Sequence, residues 1–263
     1  MGMATMVLLA ASFGQMSEEF YQDFRGGEFH PALNRFGPEA ASAMRSESRG
    51  LRITLASGRQ DKAAVGVTPR FRIAGDFEIT VGYQLLAVEK PKTGIGAGIK
   101  VWGKIQADEF QAMTLMHALD PDGSGAWLAM FATGDDPKKR KFQMKSQPTR
   151  AQSGRLRLVR TGSELSFQVA EDGREQFQEI QRVTVATGEV VSLRIGANTS
   201  GSPTGARVRL VDLRIRASAL PGKPTTLPRR RQSLWWVVLG LIVILAAGGG
   251  GFALWWYRPQ ARR

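Results

Sequence analysis

The 263-residue chain contains no cysteine and only two histidines, His30 and His117. Without cysteine there is no disulfide, no thiolate metal site and no cysteine nucleophile, although this leaves the cellular compartment undecided. Two histidines exclude a three-histidine metal centre. No repeat at a solenoid or propeller period is present. Helix-turn-helix, zinc-finger and aromatic RNA-binding strand motifs are missing, so nucleic acid is not an expected partner. The glycines of Gly94 to Gly98 do not follow the phosphate-binding spacing and read as a glycine-rich strand or bend. No cofactor is implied.

What remains is a globular composition, with 43% hydrophobic and 22% charged residues. The formal net charge is +13. Seven of the 36 basic residues, Lys223, Arg229, Arg230, Arg231, Arg258, Arg262 and Arg263, flank one apolar segment near the C-terminus; 29 then stand against 23 acidic residues in the rest. About half the excess is therefore a membrane-flank pattern, and the body is moderately basic.

That apolar segment, Leu234 to Tyr257, is 24 residues without a charge. As a helix it reaches roughly 36 Å, enough for a hydrocarbon core of about 30 Å. Trp235 and Trp236 stand at one end and Trp255, Trp256 and Tyr257 at the other, as interfacial belts require. Residues 234–257 are expected to be a transmembrane helix, which makes the membrane a partner. Pro221, Pro224 and Pro228 make 218–233 a stiff basic linker, and 258–263 form a basic tail. Residues 1–17 hold a short apolar stretch, Met6 to Ala11, with small residues at Ala10 and Ser12. This reads as a short secretory leader, against an ordinary N-terminal strand. A leader places the domain outside the cytoplasm. The four basic residues before the helix, against three after it, favour instead a tail-anchored protein with a cytoplasmic domain. The outward orientation is the expected one.

Between these ends the text is strand and turn. Leu51, Ile53 and Leu55 alternate with polar residues, as do Phe77, Ile79, Val81 and Tyr83, then Leu156 and Leu158, then Val191, Leu193 and Ile195. Period two means one packed face and one wet face. Thr161-Gly162-Ser163 and Asp172-Gly173 are turn signals. Val208 and Leu210 are even-numbered while Leu213 and Ile215 are odd, which predicts a bulge at Leu210–Val211. A short helix is expected over Glu39 to Arg45. Many short strands without a long helix predict a single antiparallel β-sandwich over 18–217.

Several runs carry a family resemblance: Phe20-Tyr21-Gln22-Asp23-Phe24-Arg25-Gly26-Gly27, Gly50-Leu51-Arg52-Ile53, Gly75-Asp76-Phe77-Glu78-Ile79-Thr80, Gly154 to Arg160, and Asp212 to Ala217. Over residues 18 to 220 the chain resembles an uncharacterised domain family of planctomycete bacteria within the concanavalin A-like lectin/glucanase superfamily. The resemblance implies an all-β jelly-roll fold and, through the superfamily, carbohydrate recognition. A briefer similarity to sugar-processing 3-keto-glycoside hydrolases is too short to transfer residues.

Glucanases of that superfamily carry a Glu-x-Asp-x-x-Glu strand, which aligns acid and nucleophile. Here only Asp76 and Glu78 stand at i, i+2, and no third carboxylate follows. They read as solvated charges, and no catalytic residue is assigned. Asp120-Pro121-Asp122-Gly123-Ser124-Gly125 begins like an EF-hand loop but lacks the closing glutamate, so a plain turn is the simpler reading and no metal is expected. Neither histidine lies near a nucleophile elbow. Trp102 and Trp127, the two tryptophans of the domain, are the aromatic candidates for stacking on sugar, with core packing as the competing reading. Arg155 and Arg157 are candidates for holding an anionic polymer, against a simply solvated sheet face; Arg207 and Arg209 share that pattern. The expected function is a membrane-anchored, non-catalytic, lectin-like binding module for glycans or envelope polymers. The alternatives are a glycoside hydrolase-like enzyme and a structural envelope protein. Oligomeric state is not legible.

Overall fold

A computed structural model describes residues 16–224, apart from residues 27, 60–62 and 175. The apolar stretch at Met6 to Ala11, the span 234–257, the tail 258–263 and most of the linker lie outside the described residues. Among those described, no helix is long and apolar enough to cross a membrane.

Among the described residues fifteen strands run in chain order: β1 (Glu18–Asp23), β2 (Leu33–Phe36), β3 (Met44–Glu47), β4 (Gly50–Leu55), β5 (Val65–Pro69), β6 (Ala74–Val88), β7 (Ala97–Ile105), β8 (Gln111–Leu119), β9 (Gly125–Thr133), β10 (Lys141–Pro148), β11 (Ser153–Thr161), β12 (Glu164–Glu171), β13 (Gln178–Thr184), β14 (Val190–Asn198) and β15 (Ala206–Ala219). They form two antiparallel sheets. One has the order β13-β12-β11-β6-β15-β4-β3, with β1 also on β15; the other has the order β10-β9-β8-β7-β14-β5-β2. These are called sheet A and sheet B. Strands distant in sequence lie side by side, as β15 does against β6, β4 and β1. The two-sheet antiparallel sandwich is consistent with the expected jelly roll.

The core lies between the sheets, where the period-two patterns meet. Sheet A contributes Phe77, Ile79, Val81, Leu158 and Phe167; sheet B contributes Ile99, Val101, Met113, Leu115 and Ile195, all at most 1% exposed. Each such burial is worth roughly 1.5–3 kcal/mol, which is the main force closing the sandwich. Arg160 follows the same parity as Leu156 and Leu158 and is equally buried. Its guanidinium donates to the carbonyls of Gly75, Ala186 and Gly188, and lies 4.8 Å from the Phe77 ring centroid.

The pairing register shifts between Leu210 and Asp212, where the parity switch predicts a bulge. A second shift, between Val190 and Ser192, corrects the expected alternation in β14: Val191 is 38% exposed, and Val190 takes the core position. The helix expected over Glu39 to Arg45 is a single turn, α1 (Ala40–Ala43). Met44 is already extended and pairs with Ile53, so β3 wins the residues that would lengthen it.

Candidate functional site

Sheet B has a chemically unusual outer face. None of its seven strands contains an aspartate or a glutamate, whereas sheet A carries Glu19, Glu47, Asp76, Glu78, Glu179 and Asp212 among others. Alternation decides which residues of sheet B face outward. In β7, Ile99, Val101 and Ile105 are buried inward, so Lys100, Trp102 and Lys104 take the opposite face. In β14, Leu193 and Ile195 are inward, so Arg194, Gly196 and Asn198 face out.

The register brings these two sets together. Arg194 pairs directly with Trp102, and Gly196 with Lys100. The Arg194 guanidinium lies 5.6 Å from the Trp102 ring centroid and 5.5 Å from that of Phe36. Phe36 reaches this position because β2 pairs with β5, which pairs with β14. Gly66 and Gly196 let the backbones approach: a Cβ on Gly196 would stand 2.6 Å from the Gly66 Cα. The resulting groove, about 370 Å³, is lined by Phe36, Lys100, Trp102, Arg194, Gly196 and Asn198. Trp102 is half-buried and so keeps accessible ring surface. Lys100 is half-buried without an ion-pair partner among the described residues, and burial pulls its pKa down. The groove thus offers an aromatic face and two cations; the Asn198 amide below them is buried and donates to the Ser200 hydroxyl at 2.9 Å. Toward β10 the same face turns apolar, with Met116, Ala118 and Leu128 clustered and Phe142 and Met144 each 57% exposed.

Trp127 corrects one expectation. It is 4% exposed and its indole N–H donates to the Tyr83 hydroxyl at 3.0 Å. Position 127 has the inward parity of β9, shared with Ala129 and Phe131, so this ring is core and offers no stacking face. Tyr83 Oη lies 2.8 Å from His117 Nδ1. Burial pushes the Tyr83 hydroxyl above its ordinary pKa and drops His117 to about 4. His30 accepts a backbone hydrogen bond from Ala32 at Nδ1 and packs edge-on against Phe20.

Arg155 and Arg157 stand on the outer face of sheet A, in a shallow recess with Glu19, Tyr21, Glu78 and Arg214. The structure brings them together, but Arg157 is already engaged. It lies 3.5 Å from the Phe177 ring centroid, donates to Thr80 and approaches Glu78 at 3.8 Å. Asp76 and Glu78 share this face too. Asp76 accepts the backbone N–H of Gly162, holding the β11–β12 turn. Of the other two arginines, Arg209 pairs with Glu47 and Gln84, while Arg207 is exposed. Asp122 accepts from the N–H and hydroxyl of Ser124, so its carboxylate caps its own turn. Among the described residues no group of three or more metal-ligating side chains converges.

Sequence reading missed Lys100, Arg194, Asn198 and Phe36. Their signal is present as Lys100-x-Trp102-x-Lys104, on the parity opposite the apolar residues of β7. Which distant strand lies beside it is not written in that pattern.

None of the curated proteins matches the chain. Among solved structures it is similar to the GH43 protein BlXynB from Bacillus licheniformis, at 15% identity and a TM-score of 0.53, over 75% of this chain and 39% of the other. It is also similar to Crh5 transglycosylase in complex with NAG, at 12% identity and a TM-score of 0.55, over 80% and 88%. A GH16 protein of a Bacteroides ovatus mixed-linkage glucan PUL, in complex with a product, matches at 9% identity and a TM-score of 0.51, over 74% and 99%. The chain thus spans about two-fifths of the GH43 proteins it matches. At these identities the likeness establishes the shared fold. The family model described as "Protein of unknown function (DUF1583) C domain" matches residues 3–238, and the chain belongs to that family.

Proposed function

We propose that this domain is a non-catalytic carbohydrate-binding module that holds an acidic glycan across the outer face of sheet B. The observation that carries the reading is Trp102 set beside Arg194 and Lys100 in one groove. A flat indole stacks on the apolar face of a sugar ring. Arg194 and Lys100 supply positive charge for an acidic substituent, while Asn198, buried and donating to the Ser200 hydroxyl, forms the groove floor. The fold neighbours, a GH43 protein, a transglycosylase and a GH16 protein, support a carbohydrate-related role. Hydrolysis by the usual route needs two carboxylates flanking the bond, and the strands of sheet B supply none. Binding therefore fits this face better than turnover. The apolar span 234–257 supports display from a membrane, and the leader-like stretch Met6 to Ala11 with the Pro-rich linker supports an extracytoplasmic domain.

The test is co-sedimentation of the full chain with polygalacturonate, a polyanion, and with neutral laminarin. Retention on polygalacturonate, lost in Trp102→Ala and in Arg194→Gln, is the expected result. Equal retention by wild type and both variants would sink this assignment.

A further inference from the structure

A second cavity, about 860 Å³, opens at the end of the sandwich between the last residues of β6, the β8–β9 turn and the β10–β11 connection. It shares no lining residue with the groove at Trp102. At its inner edge stands His117, 1% exposed, with hydrogen-bonding direction set from behind. The Trp127 indole can only donate, so the Tyr83 oxygen accepts from it. The Tyr83 hydrogen is then free to donate onward, and His117 Nδ1, 2.8 Å away, is the acceptor in reach. This assignment leaves no buried hydroxyl hydrogen unpaired, and it places the imidazole proton on Nε2.

Nε2 has no hydrogen-bond partner among the described residues, yet it is not a sealed buried atom. Gly125 lines the cavity beside it. A Cβ there would stand 3.8 Å from Nε2, in van der Waals contact, and 2.7 Å from the Thr149 carbonyl. A chain of three donors, indole to phenol to imidazole, thus ends on an unpaired N–H at a cavity wall. Burial keeps His117 neutral at ordinary pH, so what it presents is a dipole rather than a charge.

The other walls narrow the ligand's chemistry. Leu85, Leu119 and Pro148 supply apolar surface. Glu171 supplies a carboxylate, held at 3.0 Å by Arg174, and Arg150 supplies a guanidinium, so the lining carries one charge of each sign and suits a neutral ligand rich in hydroxyls. An amide carbonyl joined to a methyl satisfies the N–H and the apolar wall at once, and ring hydroxyls suit the carboxylate. We infer that this end cavity is a second binding site, for the N-acyl group of a neutral amino sugar, read by the Nε2–H of His117. The inference stands independently of the groove at Trp102.

With only two histidines in the chain, imidazole resonances report the site directly and His30 is an internal control. The experiment titrates N-acetylglucosamine into detergent-solubilised full chain labelled with ¹⁵N-histidine, with glucose as the probe lacking an acyl group. The expected result is a saturable shift of the His117 Nε2 resonance with N-acetylglucosamine only, while His30 stays still. Gly125→Ala should remove the shift, but its Cβ crowds backbone. Gln152→Trp, at an exposed residue of the lip, provides a second block that leaves the core intact. No His117 shift, an equal response to glucose, or an undiminished shift in folded Gln152→Trp would each overturn the inference.

Discussion

Tyr83 of sheet A and His117 of sheet B are joined by a 2.8 Å hydrogen bond through the core, a polar link between the two layers of the sandwich. Trp127, directly opposite His117 on the neighbouring strand, completes the group from the other side. Tyr83→Phe keeps the ring but leaves the indole N–H and Nδ1 unpaired. Stability should fall by roughly 1–3 kcal/mol for each buried group orphaned. Urea denaturation of the variant against wild type measures this, and an unchanged midpoint would mean that water replaces the hydroxyl.

The two tryptophans should separate cleanly. Trp127→Ala removes a buried ring and is expected to cost about 3–5 kcal/mol. Trp102→Ala removes a half-buried ring on the outer face, with an expected cost under about 1 kcal/mol. Comparable losses in guanidinium melts would contradict the core and surface placements.

Stability should also depend on pH through His117. Its folded pKa of about 4 lies below the ordinary 6.5, so the unfolded chain binds the proton more tightly. The stabilisation is full above pH 6.5 and is lost as pH falls toward 4, amounting to about 3 kcal/mol. Most of the loss above pH 4.5 precedes the titration of the paired carboxylates Glu47 and Glu179, whose pKa values are lowered by Arg209 and Arg182 respectively. Urea midpoints taken from pH 7 to 5 should decline in the wild type. A flat profile over that range would show that the imidazole is solvated.

Arg160 gives a harsher prediction. Replacing it with Ala leaves the Gly75, Ala186 and Gly188 carbonyls without their shared donor. The expected loss is about 1–3 kcal/mol for each buried carbonyl left unpaired. Lys in its place reaches fewer carbonyls and should recover only part. Full recovery by Lys, in thermal unfolding, would argue that charge rather than the planar fork matters.

The enzyme alternative is tested by Asp76→Asn with Glu78→Gln. Glu78 meets Arg157 only at 3.8 Å in a half-buried pair, and Gln keeps its shape while Arg157 retains Thr80 and the Phe177 ring, so this change should be mild. Asp76 also holds the Gly162 turn, so the double variant should lose somewhat more, while staying folded. Should the wild type hydrolyse a glycan and this folded variant not, the binding reading would give way to a catalytic one.

Much of the sandwich is legible along the chain. Alternation at Phe77 to Tyr83 and at Leu156 to Arg160 marks inward residues, because a strand turns its side chains over at every step. The parity switch near Leu210 reads as a bulge for the same reason. Val191 escapes this reading, because a bulge shifts parity without any change of composition nearby. The site is less legible still. Period two places Lys100, Trp102 and Lys104 on one face, opposite Ile99, Val101 and Ile105, whereas β9 is apolar on both parities and leaves the direction of Trp127 open. The partners of Trp102 come from pairing: β7 lies beside β14, almost a hundred residues away, which sets Arg194 and Phe36 around it. Likewise the Tyr83, His117 and Trp127 network exists only once the sheets stack. Local sequence determines which way a side chain faces, because that depends on its own backbone. What it faces is decided by long-range strand order and sheet packing, which the burial of both apolar faces selects together.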